Sequence, residues 1–315
     1  MTTADLYDVL VIGAGPAGLT AGIYAARANL KSMIFGTHYD SQLAKAGIVE
    51  NYPGFPDGLQ GLEISELIYT QAKKWGCEVF SANVKKLEKN ENGLFKVITA
   101  DDKRFTGYSL ILATGAYYRK LDVPGEEELY LKGVSYCTIC DGALFGGRDT
   151  IVAGYGNGAA KGALYLGGLG SSVTILCTKD ELKCESTYMK RLEELQNIQV
   201  LYSITVNEII GEDRVTGVVF TDKEGKINTL NTSAVFVEGG TAPNAALSKD
   251  LGIELTKNGF IKVNRLSQAT NIDGVFAAGD VTGGRRQIAT AIGEGSSAAI
   301  SAINWVRTHK SITPP

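Results

Sequence analysis

Histidine is almost missing from this chain: its 315 residues include two, His38 and His309. Zinc needs about four nitrogen, sulfur or carboxylate ligands, so zinc is the weaker reading of the one closely spaced cysteine pair. Long apolar runs are missing too, and without about 18 consecutive apolar residues nothing is expected to span a membrane. There is no excess of positive charge. Lys and Arg total 31 against 34 Asp and Glu, a net charge of −3, which leaves no electrostatic footprint for nucleic acid or an anionic membrane surface. The first residues carry no basic n-region, and glycines interrupt the apolar stretch that follows, unlike a secretory signal. Cysteine is sparse: Cys77, Cys137, Cys140, Cys177 and Cys184 are odd in number and mostly scattered, unlike the framework of a secreted disulfide protein. The expectation is a cytoplasmic protein that acts on a small molecule or on another protein.

What is present is an ordinary globular composition, 44% apolar and 21% charged, at a length that suits about two domains. The segments "LYDVLVIGAGPAGLTAGIYAARANLKSMIFG" and "RDTIVAGYGNGAAKGALYLGGLGSSVTILC" follow one plan of strand, glycine turn, alanine-rich helix and strand. Two such units imply two dinucleotide-type folds. "FKVITA" and "YSLILATGA" read as short strands after the first unit, and "VTGVVFTDKEGKINTLNTSAVFVEGG" reads as hairpin-like strands after the second. The block "GVFAAGDVTGGRRQIATAIGEGSSAAISAINWVRT" reads as strand, loop and long helix. Glycine and proline punctuation near "TGAYYRKLDVPGE" and "GGTAPNAALS" indicates an insertion. The expected fold is α/β, with two Rossmann-like three-layer dinucleotide-binding domains, the second inserted into the first. The outer domain would hold residues 1–117 and 246–315, and the central domain residues 118–245.

Gly13-Ala14-Gly15-Pro16-Ala17-Gly18 follows an apolar strand and opens a helix. That context is what a dinucleotide fingerprint requires: Gly13 for the tight turn, Gly15 for approach to the pyrophosphate, Gly18 for helix packing. The alternative is a strand-helix corner without a ligand. Ala113-Thr114-Gly115 and Gly279-Asp280 add weight, the aspartate as a partner for a flavin ribitol hydroxyl or, alternatively, as the cap of a following helix.

Cys137-Thr138-Ile139-Cys140 is the chemical centre. Its spacing lets two sulfurs close a small ring and tends to lower one thiol pKa, which makes a thiolate available for disulfide exchange. Asp141 next to it can move a proton during exchange, or can be no more than a turn residue before Gly142.

Taken together, GAGPAG, "VENYPGFPDG", "ATGA", "VPGE", "GVSYCTICDG", "TAPN" and "GVFAAGDVTGGRRQIATAIGEG" closely resemble the low-molecular-weight thioredoxin reductases, in order and over nearly the whole chain. The resemblance implies FAD in the outer domain, a homodimer, and electron flow from flavin to disulfide to a separate thioredoxin-like protein. It implies that Cys140 faces the flavin, that Cys137 attacks the partner, and that Asp141 is the acid/base. Gln42, Asn51, Asp280 and Gln287 match positions that line the FAD. Pro16, Ala17, Thr114, Gly115, Gly279, Arg286 and Ile288 belong to the same cofactor motifs.

The chain departs from the family at its second turn, Gly154-Tyr155-Gly156-Asn157-Gly158-Ala159-Ala160. Members that use NADPH usually read G-x-G-D/N-S-A-x-E-E-A there and H-R-R-x-x-x-R after the next strand. Here Gly158 replaces the small polar residue, Lys161-Gly162 replaces the acids, and Cys177 to Lys183 holds no arginine. Arginine grips a 2′-phosphate through a bidentate, permanently charged fork that lysine does not reproduce. NADPH is therefore doubtful as donor. The expected donor is ferredoxin or a second flavin, the latter held by Gly154, Tyr155, Gly156, Asn157 and Lys179. An NADPH-dependent reductase, an FAD-dependent dithiol oxidase and a non-catalytic flavin-binding protein remain as alternatives.

Overall fold

A computed structural model describes residues 6–310. The chain divides into two compact units, one holding the described residues up to Tyr117 together with those from Ala242 onward, the other Tyr118–Thr241. The first and last five residues of the expected outer domain lie outside the described residues.

In the outer unit, apolar runs form strands buried on both faces. Leu6–Ile12 pairs in parallel with Ser32–Phe35 on one side and with Arg104–Leu112 on the other. The sheet extends through Glu78–Phe80 at one end, and through the antiparallel strands Phe95–Thr99 and Val84–Lys89 at the other. Arg104–Leu112 changes partner along its length. Its first part pairs with Phe95–Thr99, while Leu110 to Leu112 pair in parallel with Val275–Ala277 from the end of the chain. That pairing brings the Gly279 turn to the same sheet edge as the Gly13 turn. The helix Pro16–Arg27 starts on a proline whose fixed φ suits the first helical position. It packs against the helix Ile288–His309 at main-chain contact: a Cβ on Gly295 would lie 2.2 Å from the Ala17 carbonyl oxygen.

The other unit contains a five-stranded parallel sheet in the order Val134–Ser135, Ala234–Val237, Asp149–Ala153, Ser172–Leu176, Ile198–Leu201. The helices Asn157–Gly168 and Ser186–Glu194 connect its strands. A three-stranded antiparallel sheet, Thr205–Gly211, Val215–Thr221 and Ile227–Asn231, accounts for the hairpin pattern in the sequence. The central parallel strands of both sheets are buried on both faces, which is why they read as continuous apolar runs rather than as alternating ones.

Candidate active site

In the outer unit the strand Leu6–Ile12 runs into Gly13 at φ +113°, where a Cβ would lie 2.2 Å from the Ala113 carbonyl oxygen. No side chain fits. A Cβ on Gly18 would sit 1.8 Å from the Gly13 carbonyl oxygen, so these two glycines close the turn onto its helix. Gly15 is different. It is the N-cap of Pro16–Arg27 with no side-chain bond, and a Cβ there would meet only Ser41 Cβ at 3.8 Å. The backbone can be approached closely at the positive end of the helix.

The other expected cofactor residues of this unit are tied by hydrogen bonds to one another and to neighbouring main chain. Asn51 Nδ2 donates to Gln287 Oε1 at 3.3 Å, although the two are far apart in sequence. Gln42 Nε2 donates to the Ala116 carbonyl at 3.5 Å. Thr114 Oγ1 donates to the Asn244 carbonyl at 2.6 Å, and Asn244 returns bonds from Nδ2 to Thr114 O at 3.1 Å and from its N–H to Gly115 O at 3.0 Å. Asn244 thus belongs with the outer unit. Gly279, at φ +77°, lies against Ala17, and its N–H donates to Glu294 Oε2 at 2.8 Å. The same carboxylate accepts from Thr282 Oγ1 at 3.0 Å. Asp280 opens a one-turn 3-10 helix, Asp280–Thr282, rather than a longer one. Burial pushes its carboxyl up to about 6, Arg286 opposing the rise and Glu294 adding to it. Arg286 takes a left-handed φ of 52°, and Ile288 begins the long helix and packs beside Leu43, Val49 and Ile64.

In the central unit Cys137 and Cys140 form a disulfide, with their Cα atoms 5.3 Å apart. Cys137 is the N-cap of the short helix Thr138–Asp141, and its sulfur accepts from the Cys140 N–H at 3.3 Å. Ser135, buried at the end of its strand, serves both sides of the motif. Its hydroxyl accepts from the Cys137 N–H at 3.0 Å and donates to Asp141 Oδ2 at 2.5 Å. Burial lifts the Asp141 carboxyl above the ordinary carboxylate range, and the Ser135 bond partly offsets that. A carboxyl held this way, next to a disulfide, is suited to exchange a proton with a sulfur.

The second glycine turn shares a glycine-capped helix start with the first, but Gly154 lacks the positive φ of Gly13 and Ala159 stands where Gly18 does. Gly156 caps the helix Asn157–Gly168. Its polar side chains are engaged with the chain itself: Asn157 Nδ2 donates to Glu185 Oε1 at 3.0 Å, and the Glu185 N–H donates to Asn157 Oδ1 at 2.8 Å. The Lys183 N–H donates to the Tyr155 carbonyl at 2.7 Å, which lays the segment after the next strand against the turn. Lys179 Nζ stands 5.7 Å from the centre of the half-exposed Tyr155 ring. Lys161 Nζ is held 5.0 Å from the Tyr188 ring centre.

A family model for pyridine nucleotide-disulphide oxidoreductases matches residues 7–295, which takes in both turns and the disulfide. The chain belongs to that family. It is 38% identical over 310 residues to the thioredoxin reductase of Bacillus subtilis, covering 97% of this chain and 96% of that protein. A bifunctional thioredoxin reductase/thioredoxin of Mycobacterium leprae is 36% identical over 307 residues, 96% of this chain and 67% of its own length. The solved thioredoxin reductase of Streptococcus pyogenes matches with a TM-score of 0.90 at 35% identity, covering 97% of this chain and all 100% of the other. The chain is an FAD-dependent disulfide oxidoreductase of the thioredoxin reductase type.

The first turn fits the cofactor of this family. Gly15 leaves room for a pyrophosphate at a helix N-terminus, and a Cβ on Gly115 would meet nothing within 4 Å. Among the described residues no group of His, Cys, Asp and Glu could hold a metal ion, and no helix is long and apolar enough to cross a membrane. Sequence reasoning missed Ser135, Glu294 and the Thr138–Glu238 pair. Ser135 left one signal, a small hydroxyl residue two positions before the first cysteine of the pair.

Proposed function

We propose that this enzyme passes electrons from FAD through Cys137–Cys140 to a thioredoxin-like protein, and that its donor is a one-electron carrier of the ferredoxin class rather than NADPH. The observation that carries the donor is the second turn. No arginine stands in Cys177 to Lys183 to grip a 2′-phosphate, and Asn157, the polar side chain at the helix start, is paired with Glu185. Each missing charge-assisted bond removes about 1.5–3 kcal/mol, so losing two weakens NADPH binding by roughly two to four powers of ten. Of the two donors that the sequence raises, a second flavin needs the same turn, with Tyr155 free to stack. Lys179 over the Tyr155 ring and the Asn157–Glu185 pair favour the external carrier. The relative fused to a thioredoxin supports the partner.

Bound FAD supplies the redox chemistry of taking up electrons from a donor and returning an electron pair to a disulfide. We assign its pyrophosphate to Gly13, Gly15, Pro16, Ala17 and Gly18, its ribitol to Asp280, and its flanks to Gln42, Asn51, Thr114, Gly115, Gly279, Arg286, Gln287 and Ile288. On reduction the disulfide takes up two electrons and two protons. Asp141 delivers one of those protons from its carboxyl to sulfur, and Ser135 keeps that carboxyl in place. Cys137 attacks the partner disulfide, and Cys140 resolves the mixed disulfide that results.

Anaerobic titration of the flavin absorbance tests the donor. NADPH and NADH should leave the spectrum nearly unchanged over minutes, while reduced ferredoxin bleaches it and supports thioredoxin reduction. Rapid stoichiometric bleaching by micromolar NADPH refutes the proposal. Bleaching only by dithiols, with oxygen consumed once air is admitted, makes the enzyme a dithiol oxidase instead. A count of two flavins per chain refutes the external carrier in favour of the second flavin.

A further inference from the structure

Glu238 stands at the end of the strand Ala234–Val237, where its N–H donates to the Ala153 carbonyl at 2.8 Å, and so lies directly beside the second glycine turn. Its two carboxylate oxygens face different elements. Oε1 accepts from the hydroxyl of Thr138, the buried residue after Cys137, at 2.6 Å. Oε2 lies over the first turn of the helix Asn157–Gly168, 2.7 Å from the position that a Cβ on Gly158 would take. A Cβ on Gly162 would come within 2.8 Å of Thr138 Oγ1. Gly158 and Gly162 are two of the positions at which this chain departs from NADPH-using relatives. Both departures clear space for the Thr138–Glu238 pair.

The first unit offers an internal control. There Ala113 occupies the equivalent place: its N–H donates to the Ile12 carbonyl at 2.8 Å, and its own carbonyl closes on the turn glycine Gly13 as that of Glu238 closes on Gly154. One strand end carries a methyl group, the other a carboxylate. The amino end of a helix at such a turn attracts an anion, and in a dinucleotide fold that anion is the pyrophosphate.

We propose that Glu238 is a built-in anion at the second turn, a specificity-determining residue that keeps pyrophosphate-bearing cofactors, nicotinamide or flavin, out of the central unit while its other oxygen anchors the redox helix through Thr138. The inference rests on the reading that nicotinamide is not the donor, and it names the residue responsible. Glu238→Gln keeps an acceptor for Thr138 without the charge, and Glu238→Ala removes both.

The test is calorimetric titration of the FAD-loaded enzyme with ADP, which carries a pyrophosphate but no 2′-phosphate. The native enzyme should show no binding at millimolar ADP. Both variants, with flavin content unchanged, should bind it at least about 100-fold more tightly, since like-charge juxtaposition is strongly unfavourable. Flavin-loaded variants that still bind no ADP overturn the role of Glu238 and leave the donor proposal standing. Tight ADP binding by the native enzyme overturns it as well. Bleaching of the native flavin by NADPH overturns the donor proposal whatever the variants do. If Glu238→Ala does not fold, the isosteric Glu238→Gln decides.

Discussion

Replacing Ser135 by alanine removes one oxygen that serves two groups at the disulfide. It deletes the donor to Asp141 Oδ2 at 2.5 Å and the acceptor of the Cys137 N–H at 3.0 Å. Burial already pushes the Asp141 carboxyl up, and the Ser135 bond is what pulls it down. A hydrogen bond to a charged group contributes about 1.5–3 kcal/mol, so the variant carboxyl should hold its proton roughly ten- to a hundredfold more tightly. The sign follows from which form is bonded. The serine donates to the ionised carboxylate, so its loss favours the protonated form and moves the titration to higher pH. The assay is the pH profile of single-turnover disulfide exchange between the pre-reduced enzyme and a thioredoxin. Asp141→Asn identifies the limb that belongs to the aspartate, because that limb disappears. In Ser135→Ala the same limb should shift upward by a readily measured interval, and in Ser135→Thr, which keeps the hydroxyl, it should stay in place. A folded, flavin-loaded Ser135→Ala enzyme with an unmoved limb would refute the reasoning.

Cys140→Ser should accumulate a mixed disulfide between Cys137 and a thioredoxin, seen as a thiol-sensitive band on a non-reducing gel, while Cys137→Ser accumulates none; the reverse pattern exchanges the two roles. Gly15→Ala should fold normally, because its Cβ meets only Ser41, yet bind FAD at least about tenfold more weakly, whereas Gly13→Ala, with a Cβ 2.2 Å from a carbonyl oxygen, should be destabilised by about 2–5 kcal/mol in thermal melts. Asp280 titrates near 6 in the folded chain against an ordinary 3.8, so the folded state binds the extra proton. Stability of flavin-stripped protein should therefore fall as pH rises from about 4 to about 6, by up to ~3 kcal/mol, and Asp280→Asn should flatten that slope in denaturant titrations.

The features that were legible in the sequence are those whose cause is local. Gly18 stands out because its Cβ would meet the Gly13 carbonyl within the same turn, and the βαβ plan follows from continuous apolar runs between glycine turns. The cysteine pair is legible from spacing alone. The features that were hidden depend on partners distant in the chain. Thr138 and Glu238 are 100 residues apart, and Asn51 and Gln287 are 236 apart, so no window of sequence contains both members of either pair. Glu238 did leave a faint trace, as a charged residue closing the apolar run "AVFV". Glu294 left none, since a lone acid within a long helix usually faces solvent. Its use in fixing the Gly279 N–H becomes visible only once the helix lies along the turn.

The repeat inside this chain allows the reciprocal of the Glu238 inference to be tested on the first turn. Both turns end a buried parallel strand, both cap a helix of 12 residues with a glycine that contributes no side-chain bond, and both receive, against the turn glycine, the carbonyl of the residue that follows the neighbouring strand. The main chain is not identical, since Gly13 takes φ +113° and Gly154 lies outside the positive-φ region, so the residue at the neighbouring strand end is one of the differences that set ligand preference, and it is the one a single substitution can exchange. Ala113→Glu would place at the FAD turn the group that Glu238 places at the other, with its carboxylate directed toward the helix N-terminus that holds the pyrophosphate. The expected outcome is a folded protein that elutes colourless and regains little absorbance when FAD is added. Ala113 is 6% exposed, so added bulk alone could interfere, and Ala113→Gln controls for it: similar in size, uncharged, and expected to retain much more flavin than the glutamate variant. Equal loss in the two variants would mean that crowding rather than charge governs the turn, and the same conclusion would then apply to Glu238.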